Sequence, residues 1–182
     1  EACEQLQDAT VLLAHRVTER IFQSAPKLKW VHLTSAGVER SLFKEFAESE
    51  VVFSNSRGMH ALPMADWVLA GLLYWSQQLH IAEEWRTTRE WKEHKNRMTE
   101  NRGLLHGQSA LIVGYGEIGK GIAALLKSVG MKVEAVATRG RQELVTVYPM
   151  EQLEERLQEA DVVVLALPST QKSRGLFNRR IF

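Results

Sequence analysis

Three glycines, Gly114, Gly116 and Gly119, stand in the order G-x-G-x-x-G directly after the apolar run 111–113 and ahead of a small-residue stretch that closes near Gly130. If the run is a strand and the stretch a helix, each glycine has a separate task. Gly114 permits a tight turn, Gly116 lets the backbone approach an anion with no Cβ in the way, and Gly119 lets the helix lie close to the strand. The amides of the first helical turn then face the anion, and the helix dipole favours negative charge there. Three glycines at this spacing are weak evidence alone. A second strand at 131–137 completes a βαβ unit around them, and the chemistry indicated is binding of a dinucleotide pyrophosphate. A glycine-rich turn with no ligand is the bland alternative.

The residues that follow the second strand bear on the choice of dinucleotide. Units that take NAD usually place Asp or Glu about 20 residues beyond the first glycine, where it accepts from the ribose hydroxyls. Here that place is taken by Ala137, followed by Thr138, Arg139, Gly140 and Arg141. No carboxylate repels a 2′-phosphate, while a hydroxyl and two guanidinium groups offer donors that match phosphate oxygens in planar pairs. NADP is therefore the expected cofactor. NAD stays open, Arg139 and Arg141 then being solvated loop charges.

The rest of the chain must position this turn. In the first sixty residues the apolar runs 9–15, 28–37 and 49–56 read as strands, with helices at 18–26 and 37–48 between them. Alternation of this kind predicts a parallel sheet covered on both faces. From Pro63 onward Met64, Trp67, Val68, Gly71, Leu72, Trp75, Leu79 and Ala82 recur at three- and four-residue steps. They predict one helix of about six turns, serving either as a connecting or oligomer-contact helix or as a core helix. Residues 86–107 are polar and charged and read as a surface connection. A further strand opens at Asp161 and closes at Pro168.

Composition narrows the class. The 182 residues carry 23 Lys+Arg against 22 Asp+Glu and are 45% apolar, which argues against a disordered or fibrous chain and implies no strongly charged partner. No apolar run reaches the roughly 18 residues of a membrane span, and residues 1–8 lack a signal-peptide layout. The single cysteine, Cys3, rules out an intrachain disulfide and a CxxC motif and fits a reducing cytoplasm. His15, His32, His60, His80, His94 and His106 form no HxxxH or HExxH spacing, so no metal site is expected. The basic residues at 172, 174, 179 and 180 read as a solvated loop, and no nucleic-acid partner is expected.

Four segments in order, PKLKWVHLTSAGVE, PMADWVLAGLL, LIVGYGEIGKGIAALLKSVGMKV and ADVVVLALPSTQKSRGLFN, resemble the D-2-hydroxyacid dehydrogenase family over most of the sequence. The Ala137-Thr138-Arg139 ending is similar to the glyoxylate/hydroxypyruvate reductase branch. The resemblance implies an α/β fold of two doubly wound parallel-sheet domains, one flavodoxin-like and one dinucleotide-binding and Rossmann-like. Both are incomplete here: 1–60 as part of the substrate domain, 61–105 as linking helix and connection, and 106–182 as part of the cofactor domain. It further implies that Ser35, Ala36 and Gly37 offer amides to a substrate carboxylate, though an ordinary strand-to-helix turn fits those residues equally. Glu117 and Ile118 would give main-chain contacts to the pyrophosphate. Leu167, Pro168 and Ser173, with Thr170 in the same loop, would line the cofactor cleft, and Met64 would lie near the nicotinamide, where helical spacing alone would make it core. Asp66 stands where the family usually has Glu.

The family's catalytic Arg, Glu and His lie beyond residue 182, so no catalytic residue is assigned within the chain, and the sequence reads as an internal portion of a longer protein. The function implied is reduction of a small 2-keto acid of the glyoxylate or hydroxypyruvate type to the D-2-hydroxy acid in a cleft between the two domains, by a cytoplasmic homodimer. Two alternatives remain on the residues in hand: a catalytically silent cofactor-sensing protein or corepressor of the same fold, and an NAD-dependent D-lactate or phosphoglycerate dehydrogenase.

Overall fold

The structure, a computed structural model, describes residues 4–181. Glu1–Cys3 and Phe182, and with them the expectation placed on Cys3, lie outside the described residues. Two units emerge, one ending at His60 and one beginning at Ala61.

In the first unit three parallel strands, β1 (Val11–Ala14), β2 (Trp30–Leu33) and β3 (Val52–Asn55), lie in the order β1-β2-β3. Helices α1 (Glu19–Gln23) and α2 (Lys44–Ala47) connect them, α1 starting where the Thr18 hydroxyl accepts from the Ile21 amide. Two right-handed crossovers that step in the same direction put both helices on one face of the sheet. That face carries Val31 and Leu33, which pack with Val17 and with the rings of Phe22, Phe43, Phe46 and Phe53. On the other face Val11, Leu13, Trp30 and Val52 are exposed, so the expectation of a sheet covered on both sides fails for this unit. The helix expected over 37–48 also shrinks to its last turn. Ser41 is buried and its hydroxyl accepts from the Val17 amide at 3.0 Å, so this stretch is held as a turn by a side chain bonded to another segment's backbone.

The second unit opens with α3 (Ala61–Ser76), α4 (Leu79–Thr88) and α5 (Trp91–Asn101). The six-turn helix is thus broken in two. The Ser76 carbonyl accepts from the Gly103 amide at 2.7 Å and the Gln77 side chain donates to the Gly103 carbonyl at 2.9 Å, so the helix end is satisfied from outside and Gln78 turns away at φ 58°. The surface connection expected over 86–107 is in large part α5. It is polar enough to hide its period, yet it is pinned by Trp85 against Trp91 at 3.8 Å and by His94. That side chain is buried, with its two ring nitrogens 3.0 Å from the Thr88 hydroxyl and 3.3 Å from the Arg97 guanidinium.

Then come β4 (Ser109–Val113), α6 (Glu117–Ser128), β5 (Lys132–Ala137), the short β6 (Arg141–Gln142), β7 (Thr146–Pro149), α7 (Leu153–Gln158) and β8 (Val162–Leu165). The sheet order is β6-β7-β5-β4-β8, parallel except for the β6–β7 hairpin. Successive side chains of β4 point to opposite faces. Ala110 and Ile112 join Ala65, Ile122 and Leu126 in one core, while Leu111 and Val113 join Val136 and Leu153 in another. Because the chain steps one way from β4 to β7 and then crosses to β8 on the far side, helices cover both faces, and a topological switch point falls between the carboxyl ends of β4 and β8. α3 completes the first of these layers. Ala61 lies so close to Gly121 of α6 that a Cβ there would sit 3.0 Å from the Ala61 carbonyl oxygen.

Candidate functional site

The glycine turn sits at that switch point. The Gly114 amide donates to the Val136 carbonyl at 2.8 Å, and the Ala166 amide donates to the Val113 carbonyl at 2.8 Å, so the ends of β5, β4 and β8 are tied together around the turn. Gly114 has φ +104°, and a Cβ on it would lie 2.6 Å from the Ala166 carbonyl oxygen and 2.9 Å from the Leu167 nitrogen. Only glycine meets both demands. A Cβ on Gly119 would overlap the Gly114 carbonyl oxygen, which is the close helix-to-strand approach expected at that position.

Gly116 differs from both. It is exposed, and a Cβ on it would meet nothing within 4 Å. Gly116 is also the N-cap of α6, and no side chain caps that end. An uncapped helix start opening on unfilled space is a cradle for an anion, and the chain residues here fit a pyrophosphate. Glu117 is exposed and Ile118 half-buried on the first turn of α6.

Beside the turn, Leu167 and Pro168 follow β8 and help line a cavity of about 270 Å³ with Ser169, Ser173, Arg174, Gly175 and Phe177. Ser173 holds this loop shut: its hydroxyl donates to the Pro168 carbonyl at 2.6 Å and accepts from the Thr170 amide at 2.8 Å. Another cavity, of about 120 Å³, lies among Ser109, Lys132, Glu134 and Arg156. It is at the amino ends of the strands, where open α/β sheets do not seat their ligands.

Thr138 and Arg139 are exposed at the end of β5, and Arg139 makes no hydrogen bond or ion pair with any described residue. Arg141 is placed otherwise. Its Nη2 donates to the carbonyl of Tyr115, the middle residue of the turn, at 3.1 Å, its guanidinium lies 5.5 Å from the Tyr115 ring centroid, and its Nε pairs with Glu143 at 2.5 Å. Lys120 of α6 reaches the other Glu143 oxygen at 2.9 Å. Hydrogen bonds from Lys120 and then Arg141 hold the Glu143 carboxyl below its ordinary range, and burial, with Glu143 second, raises the Tyr115 phenol. Sequence reading did not single out Glu143 or Lys120. Glu143 follows the expected acidic position by several residues, and only the β6–β7 hairpin brings it back to the turn.

The expected substrate loop lies in the first unit, and Met64, 41% exposed, is near the start of α3. Ser35, Ala36 and Gly37 form a loop fixed by hydrogen bonds from the Ser35 hydroxyl to the Gly37 carbonyl at 2.9 Å and from the Asn55 amide to the Ala36 carbonyl at 2.6 Å. The register that sets Ala14 opposite Leu33 brings His15 and Arg16 alongside it. Ser35 and Gly37, with His15, Arg16, Glu39, Arg40 and Ser41, line a cavity of about 240 Å³. Two arginines 24 residues apart on such a cavity were not legible from spacing; the Arg16 Nε donates to the Arg40 carbonyl at 3.3 Å. Among the described residues no three His, Cys, Asp or Glu side chains group as a metal site, and no helix is long and apolar enough to cross a membrane.

Comparison with known proteins accords with this geometry. Residues 69–182, from within α3 onward, match the family model described as D-isomer specific 2-hydroxyacid dehydrogenase, NAD binding domain. The chain belongs to that family. A glyoxylate reductase of Thermococcus onnurineus is 29% identical over 185 residues, covering 96% of this chain and 55% of that protein. A D-3-phosphoglycerate dehydrogenase of Bacillus subtilis is 28% identical over 169 residues, 91% of this chain and 31% of that protein. Among solved structures, a D-isomer specific 2-hydroxyacid dehydrogenase family protein of Aeromonas salmonicida is 31% identical with TM-score 0.80, over 94% of this chain and 54% of that one. The chain thus spans about half the length of the family members it matches first. A parallel-sheet, Rossmann-like nucleotide-binding unit and a nicotinamide cofactor go with membership.

Proposed function

We propose that the protein carrying this chain reduces a small 2-keto acid of the glyoxylate or hydroxypyruvate type to the D-2-hydroxy acid, with NADPH preferred. The observation that carries the reading is the glycine turn, an uncapped helix start with open space over Gly116 at the switch point of the sheet. Support for the substrate class comes from the glyoxylate reductases among its relatives. Support for NADPH comes from the exposed Thr138 and Arg139 at the end of β5, in a place where no carboxylate stands. When bound, the nicotinamide supplies hydride to the keto carbon.

The residues of this chain have binding and orienting roles in that reaction. The amides of Glu117 and Ile118 hold the pyrophosphate at the positive end of α6, and Leu167, Pro168 and Ser173 wall the cofactor on the β8 side. Thr138 and Arg139 take the 2′-phosphate, the guanidinium contributing paired donors. In the first unit, the fixed loop Ser35–Ala36–Gly37 and the cavity it shares with Arg16 and Arg40 suit a substrate carboxylate. Met64 is assigned to the nicotinamide end of the cofactor.

A second copy of the chain is the partner proposed for α3. Its inner stripe of Ala65, Val68, Leu69 and Leu72 packs on the core, while Trp67 and Trp75 stand 75% and 65% exposed on the outer side. The single cysteine suits a reducing setting, and the cytoplasm is the compartment proposed. Steady-state rates of the full-length protein with glyoxylate, hydroxypyruvate, pyruvate and 2-oxoisocaproate, each with NADPH and NADH, test the reading. We expect the highest kcat/KM for glyoxylate or hydroxypyruvate with NADPH. No turnover of any 2-keto acid would remove the enzyme, and a tenfold preference for NADH, about 1.4 kcal/mol, would remove the cofactor choice.

A further inference from the structure

Glu143 occupies a seat built for an anion. Its two carboxylate oxygens are held by separate cations, one by Lys120 Nζ at 2.9 Å and the other by Arg141 Nε at 2.5 Å. Both cations also flank the Tyr115 ring, at 5.8 and 5.5 Å from its centroid. The seat adjoins the glycine turn, because Arg141 donates to the Tyr115 carbonyl and Lys120 stands in the first turn of α6, its amide donating to the Gly116 carbonyl. It also lies on the hairpin that follows Thr138 and Arg139, the stretch where dinucleotide-binding units discriminate the ribose substituent.

We propose that Glu143 is a specificity-determining residue, an internal competitor that fills the Lys120–Arg141 seat and so limits how strongly the cofactor's 2′-phosphate is preferred. The inference rests on the reading of the glycine turn as the cofactor site and refines it: Arg139 meets the phosphate first, and Arg141 and Lys120 join only when the Glu143 carboxylate swings out. Side-chain exposures of 42% for Lys120, 37% for Arg141 and 33% for Glu143 leave the pairs open to water, where such pairs are weak and exchange readily. A phosphate brings more charge and more acceptor oxygens than the carboxylate it replaces. NADH, with a hydroxyl at that place, gains nothing from the exchange. Glu143 thus acts on the ratio of the two affinities rather than on binding as a whole.

The test is calorimetric titration of the full-length protein and its Glu143→Gln variant with NADPH and with NADH. Glu143→Gln should raise the ratio of the NADH to the NADPH dissociation constant by about fivefold, the size of one partly exposed charge pair. The NADH constant itself should stay within twofold. Glu143→Asp, which keeps the charge but is too short to bridge both cations, should move the ratio the same way by less. Adding Arg141→Gln to Glu143→Gln should cancel most of the gain. An unchanged or lowered ratio in folded Glu143→Gln overturns the proposal, as does a gain that survives in the double variant. The wild-type ratio reports separately on cofactor choice: a wild-type preference for NADH refutes the NADPH reading while the change on substitution still judges Glu143. Failure of wild type to bind either nucleotide refutes the site and this inference with it.

Discussion

Replacing Gly114 and Gly116 by alanine, one at a time, should separate the fold of the turn from its ligand. At Gly114 the backbone is at φ +104°, and the new Cβ would lie 2.6 Å from the Ala166 carbonyl oxygen and 2.7 Å from its carbon. These are backbone atoms of β8's exit and cannot rotate away. Overpacking of this kind costs about 1–3 kcal/mol, and an L side chain at positive φ adds roughly 1 more, so Gly114→Ala should lose about 2–4 kcal/mol. At Gly116 the φ of −86° is ordinary for alanine and the Cβ meets no atom within 4 Å. The expected loss is below about 1 kcal/mol, the size of a changed N-cap. The space it fills is nevertheless the one assigned to the pyrophosphate, so NADPH affinity should fall at least tenfold, about 1.4 kcal/mol. Urea unfolding of each variant gives the first quantity and calorimetric titration the second. Gly116→Ala with wild-type affinity, or with a stability loss matching Gly114→Ala, would refute the assignment of distinct roles.

Three further outcomes are expected. Arg139→Asp should weaken NADPH by about tenfold and NADH far less, since it removes a phosphate donor and adds repulsion; equal losses in parallel titrations would show that the side chain does not read the phosphate. Glu143 is held below its ordinary pKa of 4.5 in the fold, so it stabilises the native state above that value and ceases to do so as the pH falls through the lowered one. The urea midpoints of wild type and Glu143→Gln should accordingly differ at pH 7 and converge on acidification, and a gap that does not narrow as the pH is lowered would contradict the pairing. Trp67→Glu should dissociate the proposed homodimer in sedimentation velocity, and unchanged sedimentation would clear the outer side of α3 of that role.

Much of the second unit was legible because its signals are local. An unbroken apolar run for β4, three glycines with defined steric tasks, and a small-residue α6 each follow from neighbours in the chain. What was missed depends on distant partners. The break after Ser76 is made by Gly103, and the α5 helix hides among polar residues because its anchors are a tryptophan pair and a buried histidine. The β6–β7 hairpin was unread for a similar reason, since a two-residue strand ahead of a four-residue one carries no period, yet it is the hairpin that folds Glu143 back on the turn. In the first unit the strands were read correctly and their covering was not, because the side on which a helix lies is set by strand order and crossover hand. Of the candidate site, the glycines and the helix start whose amides face an anion were visible in the motif. The engagement of Arg141 by Glu143, and the meeting of Arg16 with Arg40, were not.

The claim on which the account turns is that a dinucleotide lays its pyrophosphate on the first turn of α6. A crystal structure of the full-length protein grown with NADPH measures this directly. Phosphate oxygens should lie within hydrogen-bond distance of the Glu117 and Ile118 amides, over Gly116. A nucleotide bound elsewhere, with the space over Gly116 left to water, would contradict it.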